Sequence, residues 1–140
     1  MDQNKQILWI DDDIKSSILR PYVDEFFDNG YSILKVKNPD DIEENLKDPQ
    51  GIIAIIIDVL MPTGETVDFH KAKGGLHTGF IVLKRLLDKE ELNHAKKIVF
   101  TIVEDSEIMN FCKEEGIPYL KKNDYVSDTF EKKIEDLLKV

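Results

Sequence analysis

Cysteine is almost absent: Cys112 is the one thiol in 140 residues, so no disulfide framework can form. Long apolar runs are missing too, and none approaches the roughly 20 residues that a membrane-spanning helix needs. Basic charge is in deficit, with 19 Lys and Arg against 28 Asp and Glu and a formal net charge of −9. A nucleic-acid surface needs clustered cations to displace counterions, and this balance argues against one. Met1-Asp2-Gln3-Asn4-Lys5 lacks the charged and apolar regions of a signal peptide, so a cytoplasmic location is expected. There is no internal repeat and no low-complexity tract. A chain of this length buries a core without disulfides, and residues 1–140 read as one domain.

What is there is an alternation of strand and helix patterns, the signature of βαβ units and a parallel sheet. Ile52-Ile53-Ala54-Ile55-Ile56-Ile57 is short, mostly β-branched and unbroken, as befits a central strand buried on both faces. Strands are also predicted over 6–10, 31–36, 98–101 and 117–120. Helices are predicted within 14–29, over about 39–47 behind Asn38-Pro39, and over about 79–89, 105–115 and 125–139. That makes five β/α repeats. Pro21 falls inside the first helix, where it removes a hydrogen bond. Either that helix bends there or its first turn is irregular around Ser16-Ser17. The segment 62–78 is an extended loop with three glycines, Gly64, Gly74 and Gly75. Long loops in compact domains are usually functional or disordered, and this one is expected to be mobile and to lie over or beside the site.

Two strands end in acid. The run 52–57 leads into Asp58, and Ile7-Leu8-Trp9-Ile10 leads into Asp11-Asp12-Asp13. Open α/β sheets place ligand chemistry at the carboxyl ends of their strands. Carboxylates crowded there repel one another unless a divalent cation or a proton intervenes. Thr101 ends the fourth strand, Tyr119 lies on the fifth and Lys122 follows it. These groups make a consistent phosphoryl-transfer set. Asp58 can attack phosphorus and become an aspartyl phosphate. Mg²⁺ between Asp12 and Asp58 would neutralise phosphoryl oxygens, with Thr101 and Lys122 reaching the others. Taken alone, Asp11-Asp12-Asp13 also suits an acidic turn capping a helix. Trp9 reads as core, and Cys112 as an inert helix residue.

In this order, each at a strand end, Ile10-Asp11-Asp12-Asp13, Asp58-Val59-Leu60-Met61-Pro62, Phe100-Thr101 and Tyr119-Leu120-Lys121-Lys122 resemble the receiver domains of two-component response regulators. The resemblance spans nearly the whole chain. It implies a flavodoxin-like, doubly wound (βα)5 fold with a five-stranded parallel sheet of order 2-1-3-4-5. It implies that Asp58 accepts a phosphoryl group from a phosphohistidine on a sensor histidine kinase or histidine phosphotransfer protein. Mg²⁺ would be held by Asp12, Asp58 and the backbone carbonyl of Leu60, with Asp11 helping through water. Thr101 and Lys122 would bind the phosphate, and Thr101 with Tyr119 would form the switch pair. The expected protein is a stand-alone receiver, a phosphoacceptor rather than an enzyme, whose output is a protein contact or onward transfer.

The departures are specific. Asn123 stands where proline usually follows the family lysine, and Lys121 is adjacent to Lys122. Ile102 stands where a small residue usually follows the switch threonine. Thr78-Gly79 replaces the usual Asp-Gly, and the loop 62–78 is longer than in compact members. His70, His77 and Asp68 match no common zinc spacing, so the charged run 68–73 reads as a solvated face or a partner contact. A rival reading is a haloacid-dehalogenase-like phosphatase using Asp11, with Asp13, Thr101 and Lys122 in support. It leaves Asp58-Val59-Leu60-Met61-Pro62 unexplained.

Overall fold

The computed structural model describes residues 5–139. Strands β1 (Gln6–Ile10), β2 (Ser32–Val36), β3 (Ile52–Ile57), β4 (Lys96–Thr101) and β5 (Tyr119–Lys121) form one sheet of order β2-β1-β3-β4-β5. Every pairing is parallel, so this is the doubly wound order that the resemblance implies. Helices α1 (Arg20–Asp28), α2 (Thr78–Leu87), α3 (Ser106–Glu115) and α4 (Ser127–Leu138) cover its faces.

Side chains alternate across a strand, and here the alternation divides the interior in two. Leu8, Ile10, Ile55, Ile57 and Val99 face one way and pack with Phe80, Leu83 and Leu86 of α2 and Ile108 and Cys112 of α3. Ile7, Trp9, Ala54, Ile56, Ile98 and Phe100 face the other way and meet Phe26 of α1 and Phe130 and Ile134 of α4. This second core is aromatic. Phe100 stacks on Phe130 with centroids 3.8 Å apart, and Trp9 lies edge-on to Phe26 at 5.9 Å. Burial on both faces explains why β1 and β3 carry almost no polar residue before their terminal acids. Among the described residues, no helix is long and apolar enough to cross a membrane.

One expectation is corrected. The helix predicted over 39–47 does not form; short 3-10 turns at Pro39–Asp41 and Glu43–Asn45 make the crossover instead. Only Ile42 and Leu46 offer this stretch an apolar face, and Asp40, Asp41, Glu43 and Glu44 crowd like charge along it. Asp40 is also drawn away, accepting hydrogen bonds from the N–H groups of Glu65 and Thr66 at 3.0 and 2.9 Å. The first helix lies within the expected 14–29, starting at Arg20 with Pro21 in its first turn. There the missing N–H costs nothing. Of the two alternatives, the irregular stretch around Ser16-Ser17 is therefore the one that forms. Residues 12–19 form turns instead, with Ile14 and Leu19 buried and Ile18 exposed.

One buried acid lies outside the carboxyl rim. Glu131 of α4 is 4% exposed, and its Oε2 finds no hydrogen-bond partner among the described residues. Burial, then a hydrogen bond shared with Glu135, then the charges of Glu135 and Glu25 push its carboxyl up to about 7. Below pH 4.5 the group is protonated whether the chain is folded or not. Between there and about 7 only the unfolded chain releases the proton, so stability falls as pH rises. Glu131→Gln should therefore stabilise the protein by about 1–2 kcal/mol at pH 8 and by almost nothing at pH 4. Urea denaturation at the two pH values measures this, and an equal effect at both would refute it.

Candidate functional site

The parallel ladder runs one peptide beyond the strands, and this delivers two acids to one rim. Asp11 N–H donates to the Val36 carbonyl at 2.9 Å, and Asp58 N–H donates to the Ile10 carbonyl at 2.9 Å. Both side chains are buried, Asp11 fully and Asp58 to within 5%. Lys122, just past β5, lies between them. Its Nζ is 2.7 Å from Asp11 Oδ2 and 3.0 Å from Asp58 Oδ2. Lys121 turns the other way and pairs with Glu104.

The charges do not balance. Burial raises the Asp11 carboxyl to about 6; Lys122 opposes the rise and Asp58 adds to it. Asp12 is also raised, by burial and then by the charges of Asp13 and Asp58. Burial works against the Lys122 ammonium, yet Asp58, Asp11 and their hydrogen bonds outweigh it and hold the group above its ordinary value. Oxygens of Asp11, Asp12 and Asp13 lie within 4.8 Å of one another. Hard carboxylate oxygens set this close, with Asp11 and Asp12 raised by burial and by their neighbours' charge, are a donor set suited to a hard divalent cation.

A cleft of about 360 Å³ opens onto this rim, lined by Asp12, Asp13, Asp58, Leu60, Ile102 and Lys122 among others. Asp58 therefore faces the cleft. Asp11 does not line it, and both its oxygens are engaged, Oδ1 by Asp13 N–H at 2.8 Å and Oδ2 by Lys122. Leu60 donates its N–H to Asp58 Oδ1 at 3.4 Å. Thr101 is fully buried, with its hydroxyl accepting from Val103 N–H at 3.2 Å. Tyr119 donates its hydroxyl to the Val103 carbonyl, and burial pushes its phenol up to about 12. Thr101 and Tyr119 thus meet on the backbone of one residue.

The extended loop runs elsewhere than expected. No residue of 62–78 lines the cleft. The segment is tied to the body of the fold, with Val67 and Ala72 buried. Asp40 holds its residues 65 and 66, and Arg85 donates to the Thr66 carbonyl at 2.9 Å. His77 is 5% exposed, with Nε2 2.7 Å from Asp105 Oδ2. His70 and Asp68 stay exposed and apart from it. Asp105 and His77 escaped the sequence reading because 28 residues separate them. Asp105 did carry a signal, as the N-cap of the helix it opens.

No family model matches the chain, and no curated protein does. Solved structures do match. A response regulator of Desulfuromonas acetoxidans is 14% identical, with 96% of each chain covered and a TM-score of 0.70. The signal receiver domain of a DNA-binding response regulator of Colwellia psychrerythraea 34H is 19% identical, covering 96% of this chain and 98% of that one at 0.68. A CheY-like response regulator receiver domain of Methanospirillum hungatei JF-1 is 19% identical, covering 96% and 94% at 0.64. The chain has the receiver-domain fold over nearly its whole length.

Gly79, in the first turn of α2, packs onto the end of β3. Its N–H donates to the Val59 carbonyl at 2.9 Å, and an added Cβ would fall 1.9 Å from the Asp58 carbonyl oxygen and 2.7 Å from Val59 Cα. Neither neighbour is a side chain that can swing away. Gly79→Ala should cost on the order of 3 kcal/mol, the upper range for overpacking. Chemical denaturation measures this, and a loss under ~0.5 kcal/mol, typical of an unconstrained surface substitution, would contradict the close approach.

Proposed function

We propose that this chain is a response regulator receiver, a Mg²⁺-dependent phosphoryl switch whose acceptor is Asp58. The observation that carries the reading is the convergence of Asp11 and Asp58 on Lys122 at the rim of a receiver-type sheet, with Asp58 alone of the two opening to the cleft. The donor is a phosphohistidine on a sensor histidine kinase or histidine phosphotransfer protein. The product is read through altered protein contacts or passed onward. The chain is a substrate of transfer rather than an enzyme acting on others.

Asp58 Oδ attacks the phosphorus; the P–O bond forms as the P–N bond to the donor imidazole breaks, and the imidazole leaves with the bonding pair. Asp12, Asp58 and the Leu60 carbonyl would hold Mg²⁺, with Asp11 helping through water, and the ion would supply charge neutralisation for the phosphoryl oxygens. Lys122 exchanges its Asp58 contact for a phosphoryl oxygen. Thr101 turns its hydroxyl to another oxygen, and Tyr119 responds through Val103, which both side chains already share. Asp11 is fully buried and does not line the cleft, whereas Asp58 does, so a donor reaches Asp58 and not Asp11. That weighs against the phosphatase alternative.

Incubation with Mg²⁺ and acetyl phosphate should add one phosphoryl group to Asp58, seen by intact mass and peptide mapping. Asp58→Asn should abolish the label, and Asp12→Ala should slow it and weaken Mg²⁺ binding. Label on Asp11 would instead favour the phosphatase reading.

The lifetime of the phosphoryl group depends on a water placed in line with phosphorus. In receivers the positions two beyond the acceptor and two beyond the switch threonine flank that path, here Leu60 and Val103. Leu60 and Ile102 are both partly exposed at the cleft, and the extended loop brings it no polar group. Neither Leu60 nor Val103 can orient water through its side chain. Self-dephosphorylation should be slow, and Leu60→Asn with Val103→Glu should shorten the lifetime about tenfold or more, within the range positioned polar groups contribute. Loss of label over time in Mg²⁺ measures this. A wild-type lifetime of seconds, unchanged in the double variant, would contradict it.

A further inference from the structure

The loop 62–78 ends against the segment that must move. Gly75, with φ of +105°, lets the chain turn back beneath Met61, whose N–H donates to the Gly75 carbonyl at 3.3 Å. Two residues later His77 is buried edge-on to Phe80, ring centroids 5.8 Å apart. Its Nε2 is 2.7 Å from Asp105 Oδ2. The Asp105 carboxyl is held below its usual range, first by the His77 hydrogen bond. It is therefore an ionised acceptor, and His77 Nε2–H is the donor. The other oxygen of Asp105 caps α3, accepting from Ile108 N–H at 3.1 Å. Lys73 adds an exposed strut to Glu107 at 3.7 Å, a kind of pair worth little.

Asp105 closes the short connection from β4 to α3. Within that connection, Val103 offers its N–H to Thr101 and its carbonyl to Tyr119. When the Thr101 hydroxyl moves toward an oxygen on Asp58, Val103 must follow or lose its partner. The far end of the same connection is fastened to His77. His77 in turn is fixed from behind, its N–H donating to the Ala72 carbonyl at 2.8 Å. It stands two residues before Gly79, whose backbone is bonded to Val59 beside the acceptor.

We propose that His77 is a positioning residue: through Asp105 it holds the connection 102–105 in its resting place and so sets how readily the switch is thrown. The claim rests on the phosphoacceptor reading, but the tie itself can be measured without it. His77→Phe keeps a ring against Phe80 and removes the donor. His77→Gln keeps a donor that can reach a carboxylate. Asp105→Ser keeps an N-cap but is too short to meet His77, and it reports on the tie if the Phe variant fails to fold.

Amide hydrogen exchange read by NMR should speed up at Val103 and Ile108 in His77→Phe and Asp105→Ser, and return toward wild type in His77→Gln. Labelling of Asp58 by acetyl phosphate at saturating Mg²⁺ should be roughly two- to tenfold faster in the first two variants, the span that one hydrogen bond's net worth allows. Mg²⁺ affinity should not change. Unchanged exchange would overturn the tie. Faster exchange with unchanged or slower labelling would overturn its role in switching. Faster exchange with no Asp58 label in any variant, wild type included, would overturn the phosphoacceptor reading and the switching claim together, leaving only the contact.

Discussion

Too much negative charge is held at one edge of the sheet, and a single ammonium is set against it. Asp11 and Asp58 are fixed by backbone bonds that extend the ladder, so neither can retreat. Burial withdraws the water that would otherwise separate them, and a buried charge is costly unless it is paired. Lys122 pairs with both, and the Asp11 carboxyl still rises to about 6. Such a rim gains from any cation that joins it. The two apolar cores supply the rigidity that keeps this arrangement from relaxing, because strands packed on both faces cannot splay to separate their terminal acids.

The missing second helix and the long loop are two sides of one feature. In a doubly wound fold the crossover after β2 covers the same face as α2. Here that crossover is reduced to 3-10 turns, and Asp40 within it binds the backbone of residues 65 and 66. Gly64 sits so close that an added Cβ would fall 2.5 Å from an Asp40 oxygen. Arg85 of α2 reaches the same stretch through the Thr66 carbonyl. The long loop therefore fills part of the place a helix would take. Its path leads along α2 and toward the start of α3, away from the acid cleft.

Elements whose pattern is local were legible. The strands over 6–10 and 52–57 fall where an unbroken apolar run flanked by polar residues puts them, and their terminal acids meet because parallel neighbours end at the same rim. Thr101, Tyr119 and Lys122 follow from the same count of strand ends. What failed depended on competition between parts of the chain. Residues 39–47 follow a capping asparagine, Asn38, and open on a proline at the right place for a helix, but the Asp40 carboxylate is engaged by the loop's N–H groups. Pro21 left the start of α1 open between a bend and an irregular turn, and the turns over 12–19 decide for the latter. A loop rich in glycine and charge does not announce the distant partners it meets, here Asp40 and Arg85.

The same division separates the acid site from the tie at His77. A site made of strand ends is written in the order of the chain, since the sheet's topology brings those ends together whatever else varies. A hydrogen bond between His77 and Asp105 depends on how a loop of irregular shape is folded back, and no spacing announces it. Yet the two are mechanically continuous. Asp58 ends β3, Val59 holds Gly79, and His77 precedes that contact by two residues while gripping Asp105. From Asp105 the chain runs back through Val103 to Thr101. The loop between β3 and α2 is thereby joined at its far end to the connection that follows β4. Contacts therefore run from the end of β3 through Val59, Gly79 and His77 to Asp105, and the backbone joins Asp105 through Val103 to Thr101. Asp105, where the two meet, also caps α3.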